Sequence, residues 1–383
     1  MAHYQSVGKI PKKRHTVFKK ADGVGIHQEH LVGSYGFSGT QSLLYRLHRP
    51  TAVLDSKVLK AIKWEEDPNR ALRHRHFRLA GLPEVANPFT DRIPILYNSD
   101  VSMSYVKTDK TTDDIYRNAQ SDEMIFVLRG TGMVKSELGN LCFRPGDHVV
   151  IHRSITYQLE FDNMCDLLFI ESRDKFKPPS RYLNKFGQFL EHSPYCERDL
   201  VVPNELKTHD EQGEFKVIVK QQDRLTEITM AHHPFDVVGW DGCYYPYTFN
   251  IGDFEPITGR IHQPPPVHQT FEAAGFVLCS FVPRLFDYHP EAIPAPYNHS
   301  NVMSDEILFY TNDEFMSRKD IEQGSLTLHP QGIPHGPHPG KMEASIGAKE
   351  TKECALMLDT FAPLKVATGA LGVEDVGYMG SWV

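Results

Sequence analysis

The 383-residue sequence predicts a mainly β protein built from two copies of an antiparallel β-barrel or jelly roll, preceded by an irregular N-terminal region. Three observations lead there. Short apolar runs alternate with turns at even spacing, as in Val101–Val106, Met124–Leu128, His148–Ile151 and Leu167–Ile170. Glycine (27) and proline (26) are frequent and spread along the chain, which suits many turns and argues against a disordered tract. The third is an internal repeat: Asp122-Glu123-Met124-Ile125-Phe126 matches Asp305-Glu306-Ile307-Leu308-Phe309, and Gly146–Tyr157 aligns without gaps on Gly324–His335.

In chain order, residues 1–90 carry turn-like Gly23-Val24-Gly25 and Gly33–Gly36 with one short strand near Leu43–Leu47, and are expected to form an irregular lid or interface. Residues 91–173 are the first barrel. Residues 174–230, rich in proline, charge and aromatics, read as an inter-barrel connection. Residues 231–362 are the second barrel, and the glycine-rich 363–383 form a tail lying on a neighbour.

Composition narrows the function. A formal charge of −8 with 23% charged residues argues against a nucleic-acid binder. The basic cluster Lys12-Lys13-Arg14 with Lys19-Lys20 reads as a solvated surface segment. Six widely spaced cysteines form no CxxC pair, which predicts reduced thiols and a cytoplasmic protein. No signal-peptide core and no membrane-length apolar run is present, so no membrane partner is expected.

The repeat also carries the chemistry. It resembles the cupin superfamily, in which histidines precede an acid that opens a strand and a glycine turn leads to a third histidine. The fold expected is therefore a bicupin. In the second copy His299, Glu306 and His335 fit that pattern, and two imidazoles with one carboxylate are the usual facial set for non-heme Fe(II). In the first copy Tyr157 stands opposite His335, and no histidine lies between Tyr105 and Glu123, which predicts a metal-free barrel. The repeat itself does not choose between Asp305 and Glu306; neighbours in a strand face opposite ways, and the cupin pattern favours Glu306, placing Asp305 outward in solvent or a turn. His329 is expected to line the pocket and His338 to lie on the surface.

Longer segments, His233–Gly242 with Tyr244–Tyr247, Pro296–Ser304, Gly324–Leu326 with His329, and Pro334-His335-Gly336-Pro337, resemble homogentisate 1,2-dioxygenase. The resemblance implies Fe(II) held by His299, Glu306 and His335, and cleavage of homogentisate with O2 to maleylacetoacetate in tyrosine and phenylalanine catabolism. It implies His262 as proton acceptor, with His268 its rival. Tyr297, His329 and His335 stand at the substrate, with Tyr310 either at the aromatic wall or in the core. It further implies a homo-oligomer, a trimer or hexamer. Asn312 and Phe315 stand where the animal form carries an arginine and a tyrosine that hold substrate. Losing the arginine removes a bidentate carboxylate partner, so the grip comes from elsewhere or the substrate differs. A gentisate or substituted-hydroquinone dioxygenase is the nearest alternative; a zinc cupin isomerase and a non-catalytic bicupin are the others.

Overall fold

The computed structural model describes residues 3–286 and 288–383. Its three large sheets stack as layers. The outermost has seven strands in the spatial order 139–143, 132–136, 156–161, 115–118, 212–221, 224–232 and 53–61. The middle sheet has eight, with Asp122–Arg129 paired between Asp147–Ile151 and Cys165–Ser172. The third has six: 269–273, 276–281, 355–360, 305–310, 325–329 and 75–78. Pairing is antiparallel throughout except between Gln212–Gln221 and Ile115–Asn118.

Strand alternation explains the layering. On Asp122–Arg129, Ile125 and Val127 point into one apolar cluster with Tyr116, Leu141 and Leu159, while Met124, Phe126 and Leu128 point into another. The second cluster also holds Ile307 and Phe309, whose ring lies 6.0 Å from that of Phe126. The middle sheet is thus buried on both faces, which is why Met124–Leu128 reads as an unbroken apolar run. Leu308 and Tyr310 face the other way, into a smaller cluster with Met357 and Phe315.

The repeat holds at the level of backbone conformation. Gly146 and Gly324, equivalent in the two copies, both take a left-handed φ, +88° and +84°, at the turn that opens the next segment.

Two expectations are corrected. Residues 1–90 are not irregular: five strands lie there, and Arg75–Arg78 completes the edge of the six-stranded sheet. The segment 174–230 is only partly a connection, because Gln212–Gln221 and Arg224–His232 form a long hairpin within the seven-stranded sheet. In the tail, the short 3-10 helix Tyr378–Trp382 packs on the second barrel of its own chain. Local pattern understates such strands, since their partners come from remote segments.

No described helix is long and apolar enough to cross a membrane. The six cysteines are free thiols. Lys12, Lys13, Arg14 and Lys19 are exposed, and Arg14 pairs with Asp241 at 2.9 Å.

Candidate metal centre

Three adjacent strands place Asp359, Glu306 and His329 directly opposite one another, and directly paired residues share a face. Glu306 lies on the same face as Leu308 and Tyr310, inside the second barrel. Asp305 lies on the opposite face. It is buried, accepting backbone N–H bonds from Gln331 (2.9 Å) and Leu364 (2.7 Å), so the expectation of an outward, solvated Asp305 is corrected. The strand register therefore aims Glu306, not Asp305, at the site.

His299 and His335 come from loops joined by a backbone bridge, with N–H to O=C distances of 2.8 and 2.9 Å in the two directions. Gly336 makes the close approach feasible: a Cβ there would sit 2.1 Å from Asn298 Oδ1. Among the described residues, His299, Glu306 and His335 form the one group of three or more metal-ligand side chains, their candidate ligand atoms all within 4.8 Å of one another. His299 Nε2 is 3.7 Å from Glu306 Oε2, and His335 Nε2 is 3.3 Å from Glu306 Oε1. Neither ring nitrogen of the buried His335 makes a hydrogen bond, although burying an unpartnered polar atom is costly. That orphaned imidazole beside a carboxylate fits a divalent cation.

Electrostatics agree. Burial would raise the Glu306 carboxyl, but the close imidazoles of His299, His329 and His335 hold it well below the usual carboxylate range. The neighbouring Glu306 carboxylate raises His299. Burial, and then the Glu306 charge, push Asp359 up to about 8.

A cavity of about 320 Å³ opens on His299, Glu306 and Asp359. Its walls are largely apolar, with Phe281, Leu308, Phe315 and Met357. His262, His268 and Tyr297 line it as well, and Tyr297 is exposed at its mouth with its ring 5.4 Å from that of His262. Burial lowers His262 and pushes the deeper His268 down to about 3, so both are neutral imidazoles with an unpartnered Nδ1. A larger cavity, about 600 Å³, lies over the first barrel near Glu171 and Lys220, but the metal-ligand set is in the smaller one.

Further corrections concern residues near the site. His329 is not on the cavity wall: it is fully buried behind Glu306, with Nδ1 2.8 Å from Glu306 Oε1 and Nε2 3.1 Å from the Tyr378 hydroxyl. His338 is buried too, accepting from Lys319 N–H and contacting Ser381 Oγ at 3.0 Å. Tyr310 is barrel core, its hydroxyl on Thr327. Asn312 faces away, bonding the backbone of Lys352 and Cys354, whereas Phe315 lines the cavity.

Sequence reasoning missed Arg284, Arg318 and Asp359 on the cavity wall, and His74, Tyr378 and Trp382 behind it. None belongs to the repeated motif. The alternating Arg73-His74-Arg75-His76 was the one local hint of an edge strand with a polar face.

The equivalent place in the first barrel is filled differently. Glu123 receives the Tyr157 hydroxyl (2.8 Å) and the Arg92 guanidinium (2.6 Å). Arg92 also reaches Glu171 at 3.3 Å and stacks on Phe169, 3.8 Å from the ring centroid. An internal cation thus neutralises the carboxylate equivalent to Glu306.

Comparison with known proteins places this geometry in a family. A family model described as homogentisate 1,2-dioxygenase N-terminal matches residues 95–251. A Saccharolobus solfataricus protein named "Putative dioxygenase" is 41% identical over 385 residues, covering 100% of this chain and 99% of that protein. The chain belongs to the homogentisate 1,2-dioxygenase family. Homogentisate 1,2-dioxygenase of Bradyrhizobium diazoefficiens is 27% identical over 73% of this chain, and the match spans 64% of that enzyme. The Drosophila melanogaster enzyme is 27% identical over 62% of this chain and 55% of its own length. This chain therefore matches less than two-thirds of the length of those homogentisate dioxygenases. A cupin 2 conserved barrel domain protein from Leptotrichia buccalis aligns over 79% of this chain and 100% of its own, at 11% identity and a TM-score of 0.36.

Proposed function

We propose that this protein is a non-heme Fe(II) dioxygenase that cleaves the ring of a 2,5-dihydroxyphenyl acid, with homogentisate as the first candidate and maleylacetoacetate as its product. The observation that carries the reading is the juxtaposition of His299, Glu306 and His335, with His299 and Glu306 on the wall of a largely apolar cavity of aromatic-ring size. The names of the relatives support a dioxygenase.

His299, Glu306 and His335 would hold the iron, which when bound supplies a site where an ortho- or para-hydroxylated ring and O2 meet. The chain's own groups do the rest. Phe281, Phe315 and Met357 exclude water and pack against the ring. His262, neutral at pH 7 and unpartnered at Nδ1, accepts the proton of the substrate hydroxyl. Arg318 supplies the carboxylate grip that Asn312 does not. It lines the cavity, is buried, has no acid partner among the described residues, and its Nε makes no hydrogen bond. Arg284 is less available, because Glu353 holds it at 2.9 Å.

We also propose a homo-oligomer. The strand Val53–Ala61 ends the seven-stranded sheet with all nine residues exposed, Val53, Leu54, Val58 and Leu59 among them, and such an edge suits a second copy of the chain. Light scattering at micromolar concentration tests it; a monomer refutes it.

Oxygen uptake by Fe(II)-loaded protein decides the substrate. Turnover of homogentisate but not gentisate, lost in His335→Ala, supports the reading. Gentisate turnover alone keeps the metal chemistry and changes the substrate. No uptake with either overturns it.

A further inference from the structure

The 3-10 helix Tyr378–Trp382 touches the supports of two of the three candidate ligands. The Tyr378 hydroxyl lies 3.1 Å from His329 Nε2, and His329 Nδ1 lies 2.8 Å from Glu306 Oε1. Only one tautomer satisfies both bonds: Nδ1–H donates to the carboxylate, and Nε2 accepts from the phenol. Four residues on, Trp382 Nε1–H donates to the carbonyl of Gly336 at 3.1 Å, the residue that follows His335. The same carbonyl accepts from Arg318 at 2.8 Å.

Packing fixes these contacts. His329 stacks on His335 with centroids 4.8 Å apart, and its other aromatic neighbours include His74, Tyr378 and Trp382, with His74 contributed by the segment that enters the six-stranded edge. His329 is fully buried, so loss of the Tyr378 hydroxyl would leave Nε2 without a partner and water without access.

We infer that Tyr378 and Trp382 are positioning residues for the metal centre: Tyr378 sets the tautomer of His329 and through it the aim of Glu306, while Trp382 pins the loop that carries His335. This rests on the metal reading above. Outer partners of this kind commonly change metal affinity by about 10- to 100-fold when lost.

The test uses Co(II) alone as a spectroscopic probe, added to the intact metal-stripped chain. Tyr378→Phe keeps the ring and removes only the hydroxyl. It should weaken Co(II) binding about 10-fold and alter the visible cobalt band, while circular dichroism of the metal-free protein stays at the parent's. His329→Asn, whose amide N–H mimics Nδ1, should retain more affinity than His329→Leu. Tyr378→Phe with the parent's affinity and band would overturn the inference alone, as would His329→Asn performing no better than His329→Leu. A parent that binds no Co(II) would overturn both the inference and the metal reading.

Discussion

His299 and His335 exchange backbone hydrogen bonds in both directions, at 2.8 and 2.9 Å, so two candidate ligands remote in sequence form one antiparallel bridge. Their ring centroids lie 4.2 Å apart, and Glu306 closes the third corner. The bridge sets the spacing before any cation arrives, which is the economy of a preorganised site.

Removing one corner should therefore abolish tight binding rather than merely weaken it. His335→Ala is expected to lower Fe(II) affinity on the order of 100-fold or more, beyond the usual cost of losing an outer partner. Metal analysis after gel filtration checks this. Full retention of one equivalent would exclude His335 as a ligand.

Arg318 is expected to govern recognition of an acidic substrate. Losing a buried charge-assisted bond costs about 1.5–3 kcal/mol, or roughly 10- to 150-fold in binding. Arg318→Met should raise KM for homogentisate by that factor with a smaller change in kcat. A hydroquinone without a carboxylate should lose nothing comparable. Equal losses for both compounds would assign Arg318 a structural role.

In the first barrel, Arg92 neutralises Glu123 in a buried setting, its guanidinium in contact with Glu171 as well. Arg92→Met would strand buried carboxylate charge and should destabilise the protein by about 3–5 kcal/mol. Adding Glu123→Gln should recover part of the loss. Urea denaturation of the two variants measures both effects, and an unchanged midpoint in the single variant would contradict the assignment.

Acid should destabilise the fold through its buried neutral histidines. Burial pushes His148 down to about 4 and His268 down to about 3. Unfolded, each takes up a proton near pH 6.5. The unfolded state thus binds more protons than the folded one between about pH 6.5 and 4, and stability must fall as pH falls through that window. The contribution is on the order of 1–2 kcal/mol for each histidine at pH 5. Thermal melts of the metal-free protein at pH 7.5, 6.5 and 5.5 should show falling Tm, with a shallower fall in His148→Phe. A Tm independent of pH would exclude neutral burial.

The sequence by itself determined the β texture, the repeat and the triad. Strand alternation, the left-handed glycine turn at Gly324 and the histidine spacing are local properties, and they survive as such in the structure. Tertiary structure decided what depends on register and on partners distant along the chain. The repeat alone does not separate Asp305 from Glu306 and only the family pattern favours Glu306, whereas pairing with Asp359 and His329 turns Glu306 inward. His329 looks like a pocket residue until Tyr378 and Glu306 occupy both of its ring nitrogens. Arg75–Arg78 and Tyr378–Trp382 carry no motif of their own, because a strand edge and a closing turn acquire their roles only from the surface they cover. Periodicity reports how a segment folds on itself; which remote side chains meet is set by packing.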